Sequence, residues 1–571
     1  MSTESWFGRR APGTTGLART VVVAALLVLG VRAPDAVAAP GPDATAPKLV
    51  VLIVVDQMRA DYVEQFQRDW SGGLGRLVHH GAWLRRARYP YLTTVTCAGH
   101  ATVSSGAYPH VSGVVGNAWW DREAGRTMSC TADPNARDIG YGFDAKGGDS
   151  AHRLLVPGLA DVLRDERAAH VVALSLKDRS AIMLAGHGGD AVTWLSNSLD
   201  GWVTSSAFAP GPVPAVQQFV AANPIDADFG ARWTRLLPPS RYRGRDDGVG
   251  EAPPRGWTAL FPHVLDGDGG GKPTRTFYAQ WERSPFADAY LGRMAAALAE
   301  SMALGRHDGT DVLAISFSST DLVGHAFGPR SQEVQDMYMH LDRTIGALLD
   351  RLDALVGRDE YVVALTADHG VTPIPEQLVA QKKDAGRIDT MALVGAAERA
   401  AEAALGPGKY VARVSGSGVY FEPGVEETLK SRPAALERIV AAIAARPGVA
   451  KVFRSEDLIG ADTAADPLAR AAALSYFPGR SGDLVLAPKP GWMFSATGTT
   501  HGSSSADDQR VPILFMGYGI RPGRYDAPAS PADVAPTLAA ICGVAMPKAE
   551  GHPLRDVLAS GQRSSSMRGR R

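Results

Sequence analysis

Five short apolar runs, each stopping at a polar cluster or a glycine, constrain this chain more than any other feature. They are Lys48 to Val55 (KLVVLIVV), His170 to Leu176 (HVVALSL), Asp311 to Phe317 (DVLAISF), Tyr361 to Thr366 (YVVALT) and Val511 to Met516 (VPILFM). Runs of strand length without polar alternation suit strands covered on both faces, the condition of a parallel sheet. Between the third and fourth, Val334, Met337, Tyr338, Leu341, Ile345, Leu348 and Leu352 recur at spacings of three and four, which predicts an amphipathic helix. Strands alternating with helices predict an α/β fold with a parallel sheet, and such sheets bind ligands outside the carboxyl ends of their strands.

Two stretches break the alternation. Residues 209–285 are rich in Pro, Gly and Trp, and residues 373–482 combine Ala-rich helical sequence with a strand-like Gly418 to Phe421. Both are expected to be insertions shaping the rim of one catalytic domain spanning residues 47–560. Of the 571 residues, 59 are Lys or Arg and 60 are Asp or Glu, so no global field recruits nucleic acid or an anionic membrane. With 62 Gly and 38 Pro the chain is an ordinary globular composition, and three cysteines exclude a disulfide scaffold.

Residues 1–38 have the form of an export signal. Arg9, Arg10 and Arg19 precede an apolar run from Val21 to Val31, and Ala36-Val37-Ala38 follows as a small-x-small cleavage site. The run is shorter than the roughly 20 residues of a bilayer span, so no stable membrane anchor is expected and the mature protein is placed in the periplasm or outside the cell. There Cys97 and Cys130 are candidates for a disulfide, with Cys542 left odd. Residues 561–571 form a basic tail.

The polar residues that follow the runs carry the chemistry. Asp56 ends the first. Asp321 and His325 follow the third in SSTDLVGH, an i, i+4 pair that faces one way on a helical turn. Asp368 and His369 follow the fourth in TADHG, where both converge only if the strand gives way to a loop. His501 lies in GTTHGS. Carboxylates and neutral imidazoles at this density suit zinc. Between the first two runs, Thr96 in PYLTTVTCAGHATVSSG precedes a small-residue segment resembling a helix start, where backbone N–H groups favour an anion. Taken alone, this segment favours Thr96 as a helix cap.

With Asp56, Thr96, Asp321-x-x-x-His325, Asp368-His369 and His501 in this order, residues 48 to 556 resemble the alkaline phosphatase superfamily, and within it the bacterial PafA-like alkaline phosphatases that use a threonine nucleophile. The resemblance implies a three-layer α/β/α sandwich with a mostly parallel central sheet and inserted cap segments. It implies two zinc ions, one held by Asp321, His325 and His501 and the other by Asp56, Thr96, Asp368 and His369. It implies that Thr96 is the nucleophile and that Asn117 (in VVGNAWWD), Lys177 and Arg179 (in SLKDRSA) hold phosphoryl oxygens. Lys177 and Arg179, two apart after the second run, are expected to point the same way in extended chain.

The expected activity is hydrolysis of small-molecule phosphate monoesters through a phosphothreonine, by a monomer. Phosphodiester or nucleotide pyrophosphate hydrolysis is the alternative, and a phosphate-binding protein without activity is a third. The sulfatase signature C/S-x-P-x-R is absent at Cys97, which is followed by Ala-Gly-His-Ala. Asp266-Gly-Asp268-Gly resembles a calcium loop but lacks the closing Glu and is expected to be a turn. His100 is expected to be packed or hydrogen-bonded, and Trp119-Trp120 to line the wall of the site.

Overall fold

The computed structural model describes residues 46–463 and 465–559. The expected export signal and basic tail lie outside the described residues. The first apolar run forms strand β1 (Leu49–Val55), buried at every position, and its side chains alternate between two hydrophobic cores. Leu49, Val51, Ile53 and Val55 enter one core, and Val50, Leu52 and Val54 enter the other. At about 1.5–3 kcal/mol for each large apolar side chain fully buried, a strand of this kind is stable only when both faces are covered.

The central sheet has ten strands: β1, β2 (Ala82–Ala87), β3 (Asp138–Gly140), β4 (Val171–Ser175), β5 (Ala191–Leu195), β6 (Trp202–Ser205), β7 (Asp311–Phe317), β8 (Tyr361–Thr366), β9 (Ile513–Gly517) and β10 (Gly523–Ala529). Their order is β10-β2-β9-β8-β1-β7-β4-β5-β6-β3. Strands β8, β1, β7, β4 and β5 are mutually parallel. The fifth apolar run departs from the parallel expectation, because β9 pairs antiparallel with both β8 and β2.

Helices cover both faces. Helices α1 (Thr96–Ser105), α2 (Asp178–Ala185) and, later in the chain, Val534–Cys542 contribute Val103, Ile182 and Leu538 to the core that holds Val50 and Leu52. Helices α3 (Pro285–Ser301) and α5 (Gln332–Leu355) supply Met294, Leu298, Leu341 and Ile345 to the opposite core. The predicted stripe from Val334 to Leu352 is buried throughout, and Ser331 caps α5 by accepting the Val334 N–H at 3.1 Å. Between β7 and α5 runs helix α4 (Ser319–Phe327). The result is the three-layer α/β/α arrangement expected.

The two irregular stretches differ. Trp233, Phe277 and Trp281 of the first join the core under α3 and α5. The second builds its own core around Leu393, Ile439 and Leu486, beneath a four-stranded sheet. That sheet takes a strand from Leu484–Pro488, past the expected boundary at residue 482. Asp266 to Gly269 is a turn, closed by the Gly269 N–H on the Asp266 carbonyl. Among the described residues no helix is long and apolar enough to cross a membrane.

Candidate active site

The carboxyl ends of β1, β7 and β8 lie side by side, and the polar residues that follow them converge there. Asp56 directly follows β1. Asp321 and His325 stand one turn apart on α4, with His325 Nε2 3.2 Å from Asp321 Oδ1. Strand β8 ends at Thr366, and in the loop beyond it His369 Nε2 lies 3.2 Å from Asp368 Oδ2 and 3.5 Å from Asp56 Oδ1. His501 reaches the same edge by a different route. Because β9 is antiparallel, the segment preceding it arrives at the carboxyl edge of its parallel neighbours, and His501 Nε2 comes within 3.7 Å of Asp321 Oδ1.

The three histidines share one hydrogen-bonding pattern. His325 Nδ1 donates to the Thr499 carbonyl at 2.8 Å, His369 Nδ1 to Gly370 at 2.9 Å, and His501 Nδ1 to Thr94 at 2.8 Å. A carbonyl can only accept, so each ring carries a proton on Nδ1, and Nε2 is the atom turned toward the carboxylates. This is how proteins fix imidazoles as metal ligands. Two carboxylate oxygens in the same place, Asp56 Oδ1 and Asp368 Oδ2, are buried without a hydrogen-bond partner among the described residues. Such atoms call for a cation.

The donor atoms fall into two groups, each within 4.8 Å: Asp321 with His325 and His501, and Asp56 with Asp321 and His369. The first matches the expected set. The second brings Asp321 to Asp56 and His369; beside it, Asp368 Oδ1 is engaged by the backbone N–H groups of Gln57 and His369 at 3.1 and 3.0 Å, and its Oδ2 lies 3.2 Å from His369 Nε2.

Val95 occupies the N-cap of α1, and Thr96 is the first helical residue. The Thr96 hydroxyl is therefore not used as a cap, and its Oγ1 lies 3.5 Å from His369 Nε2, in the midst of the carboxylates and imidazoles. Gly99, one turn on, lets the helix approach the loop after β8: a Cβ there would come within 2.2 Å of the Asp368 carbonyl oxygen. Cys97 is bonded to Cys130, which ties the start of α1 to the segment after Asn117. Asn117 Oδ1 accepts the Cys97 N–H at 2.8 Å, leaving its amide N–H groups as donors.

Lys177 is extended, but the chain does not stay extended through Arg179. Lys177 is the N-cap of α2, and Arg179 is the second residue of the helix. Helix formation begins at Asp178, whose Oδ1 accepts the Arg179 N–H at 2.6 Å. Lys177 Nζ lies 2.5 Å from Asp56 Oδ2 and 2.6 Å from Asp321 Oδ2. It stands between the two donor groups as their counter-ion. Arg179 is a quarter exposed, and its Nε is buried without a partner among the described residues.

Burial opposes charge throughout this cluster. It lifts the Asp56 carboxyl well above the usual range, helped by the neighbouring Asp321 and Asp368 carboxylates. At Asp321 burial is overcome by His325 and Lys177, and at Asp368 by His369 and His100, so both carboxyls lie well below that range. Burial is likewise overcome at His369, which the Asp368 carboxylate lifts to about 9, whereas at His501 burial prevails and lowers it.

Two residues outside the expected set organise the site. Gln57 is held at φ +68°, a conformation that costs a side chain about 1–3 kcal/mol. In return its Nε2 meets Asp321 Oδ1 at 2.5 Å while its backbone N–H meets Asp368 Oδ1. Gly324 makes room for it, since a Cβ there would fall 1.8 Å from Gln57 Oε1. His100 is fully buried, donates from Nδ1 to the Thr96 carbonyl at 2.8 Å and accepts at Nε2 from the Ser316 hydroxyl at 2.8 Å.

A three-layer fold with these residues at its strand ends defines a hydrolase of the alkaline phosphatase superfamily. Within it, the chain belongs to the type I phosphodiesterase / nucleotide pyrophosphatase family, whose pattern matches residues 50–508. It is 31% identical over 533 residues to alkaline phosphatase PafA of Elizabethkingia meningoseptica, covering 90% of this chain and 94% of that one. It is 32% identical over 530 residues to alkaline phosphatase PhoK of a Sphingomonas species, covering 88% and 90%. The crystal structure of PafA superposes with a TM-score of 0.82 at 28% identity, over 90% of this chain and 99% of that one. Murine ectonucleotide pyrophosphatase / phosphodiesterase 5 shares the fold, with a TM-score of 0.50 at 12% identity over 90% of this chain and all of that one.

Proposed function

We propose that this protein is an exported alkaline phosphatase that hydrolyses phosphate monoesters at a two-zinc site through a phosphothreonine. The observation that carries this reading is the set of three inward-facing Nε2 atoms and buried carboxylate oxygens gathered around the Thr96 hydroxyl. The names of the relatives, alkaline phosphatases PafA and PhoK, support it.

Asp321, His325 and His501 are assigned to one zinc, and Asp56, Asp368 and His369, with the Thr96 hydroxyl, to the other. When bound, the ions supply Lewis acidity, lowering the pKa of a hydroxyl or water and stabilising a departing oxygen. The remaining work falls to the chain. Thr96 Oγ1 at the start of α1 forms the bond to phosphorus as the bond from phosphorus to the ester oxygen breaks, and the alcohol departs. Water then attacks the phosphothreonine, releasing inorganic phosphate and restoring the Thr96 hydroxyl. The α1 N-terminus and the Asn117 amide, fixed by the Cys97 N–H, donate to the phosphoryl oxygens. Lys177 and Arg179, with its unspent Nε, supply the charge that a dianion needs and a diester monoanion needs less.

Export is supported by the Cys97–Cys130 bond, since such bonds persist in oxidising compartments, with the signal cleaved near Ala38. Family membership favours a second reading, hydrolysis of diesters. Rates for p-nitrophenyl phosphate and bis(p-nitrophenyl) phosphate on the purified mature protein, with zinc counted by elemental analysis, decide between them. Faster diester hydrolysis rejects the monoesterase.

A further inference from the structure

The guanidinium of Arg179 is held by the residue before it. Asp178 Oδ1 accepts from Arg179 Nη1 at 3.4 Å and from the Arg179 backbone N–H at 2.6 Å, while Arg179 Nε is buried with no hydrogen-bond partner among the described residues. Asp178 is in turn held from its other side, where Oδ2 accepts from Asn197 Nδ2 at 2.9 Å. One buried carboxylate is thus shared between Arg179 and Asn197, an oxygen for each.

The topology of the sheet brings these residues together. Strands β4 and β5 are parallel neighbours, so Lys177 to Arg179 after β4 and Asn197 after β5 reach the same carboxyl edge. Asn197 sits in the turn from β5 to β6, which is braced by its own bonds. The Ser196 N–H meets the Gly201 carbonyl at 2.9 Å, the Leu199 N–H meets the Ser196 carbonyl at 2.8 Å, and the Ser196 and Ser198 hydroxyls meet at 2.8 Å. The Asn197 amide therefore reaches Asp178 from a firm base. A carboxylate released by Asn197 is free to turn away from the guanidinium. A long side chain that must be ordered only when an oxyanion binds lowers affinity by up to about tenfold, and one ordered beforehand does not.

We infer that Asn197 and Asp178 are positioning residues for Arg179, which fix its guanidinium for the phosphoryl dianion and so strengthen the preference for monoesters over diesters without touching the substrate. The inference rests on the proposed monoesterase reading and deepens it. Arg179 serves a dianion more than a diester monoanion, so what holds Arg179 acts on the two substrates unequally.

Asn197 is exposed, so its replacement leaves the core as it is. In the zinc-loaded full chain, Asn197→Ala is expected to lower kcat/KM for p-nitrophenyl phosphate about tenfold and that for bis(p-nitrophenyl) phosphate less than about twofold. Asn197→Asp, of the same size, sets a second carboxylate against Asp178 and is expected to lose at least as much. With Arg179→Ala already present, neither substitution is expected to change the rates further, because residues that act through one another do not add. Calorimetry with inorganic phosphate reads the same relay without turnover: affinity is expected to fall about tenfold with Asn197→Ala, and not at all once Arg179 is gone. Equal losses on the two esters, native rates in either variant, or a loss that persists undiminished without Arg179 overturn the inference. A native enzyme inert to p-nitrophenyl phosphate defeats the monoesterase reading itself, and the phosphate affinities then decide the positioning role on their own.

Discussion

The Lys177 ammonium lies 2.5 Å from Asp56 Oδ2 and, on its other side, 2.6 Å from Asp321 Oδ2, so one lysine neutralises a carboxylate from each donor group. Burial works against this charge, and the two carboxylates outweigh it, raising the Lys177 pKa. Removing Lys177 leaves two buried carboxylates without their cation, a loss of about 3–5 kcal/mol by analogy with other broken buried pairs. Divalent ions on those carboxylates take over the same neutralisation. Lys177→Ala is therefore expected to destabilise the metal-free protein by several kcal/mol and the zinc-loaded protein much less. Urea denaturation with and without chelator measures the difference, and equal losses in both states reject the counter-ion role.

Thr96→Ala removes the atom that attacks phosphorus while leaving the three histidines and the carboxylates in place. Monoester turnover is expected to fall by about 10⁴-fold or more, on the scale of nucleophile deletions in other hydrolases. Zinc content should stay that of the native protein. An active variant sinks the phosphothreonine route; an inert variant that has also lost its metal assigns Thr96 a structural part instead.

Gln57→Ala deletes the amide that holds Asp321 and keeps the backbone N–H on Asp368. Loss of such an outer contact typically costs 10–100-fold in metal affinity. Zinc affinity by competition with a chromophoric chelator should fall within that range, while the melting temperature at saturating zinc changes little. Unchanged affinity shows that α4 alone fixes the Asp321 carboxylate.

The strand-end polar residues stand out in the sequence because a strand buried on both faces must be apolar throughout, so a terminal Asp or Asp-His is conspicuous. Direction is not, since an apolar run such as Val511 to Met516 looks the same read parallel or antiparallel. Only the pairing of β9 with β8 shows why His501 precedes its strand rather than following it. The Lys177 and Arg179 geometry is hidden in the sequence for a related reason: Asp178 starts a helix at once, and two-residue spacing means something different on a helix. Gln57 left no trace because its part depends on φ +68° and on Asp321, 264 residues away in the chain.

Cys97 lies next to Thr96, the proposed nucleophile, and its bond to Cys130 closes a loop with a sequence separation of 33. A loop of that length is worth about 3–4 kcal/mol in the chain-entropy model. Cys130→Ser is expected to lower stability by that order and to weaken the Cys97 N–H contact with Asn117, so KM for monoesters should rise. Denaturant midpoints together with KM check both; intact stability shows that the bond is absent from the folded protein in solution.

Glu333 at the start of α5 is fully buried, with Oε1 3.1 Å from His263 Nε2. Burial, with the Asp246 and Asp336 carboxylates behind it, carries its pKa from an ordinary 4.5 to about 8. Arg235 opposes the shift, and Glu251, itself lifted to about 8 by burial and by Glu333, faces the same space. Burial lowers His263 to about 4, so the imidazole is neutral in the window concerned. Between about pH 4.5 and 8 the folded chain keeps a proton on Glu333 that the unfolded chain has released, so the contribution of Glu333 to stability falls as pH rises through that window, against the rise that His263 contributes below its ordinary 6.5. Glu333→Gln removes the titration and keeps an amide able to reach His263. Relative to the native protein, the variant should gain on the order of 1–3 kcal/mol between pH 5 and pH 9. Urea titrations of both proteins at the two pH values measure that gain. Parallel changes in the two proteins show that Glu333 is already ionised in the folded state and that the carboxyl groups of the first insertion do not set its pH response.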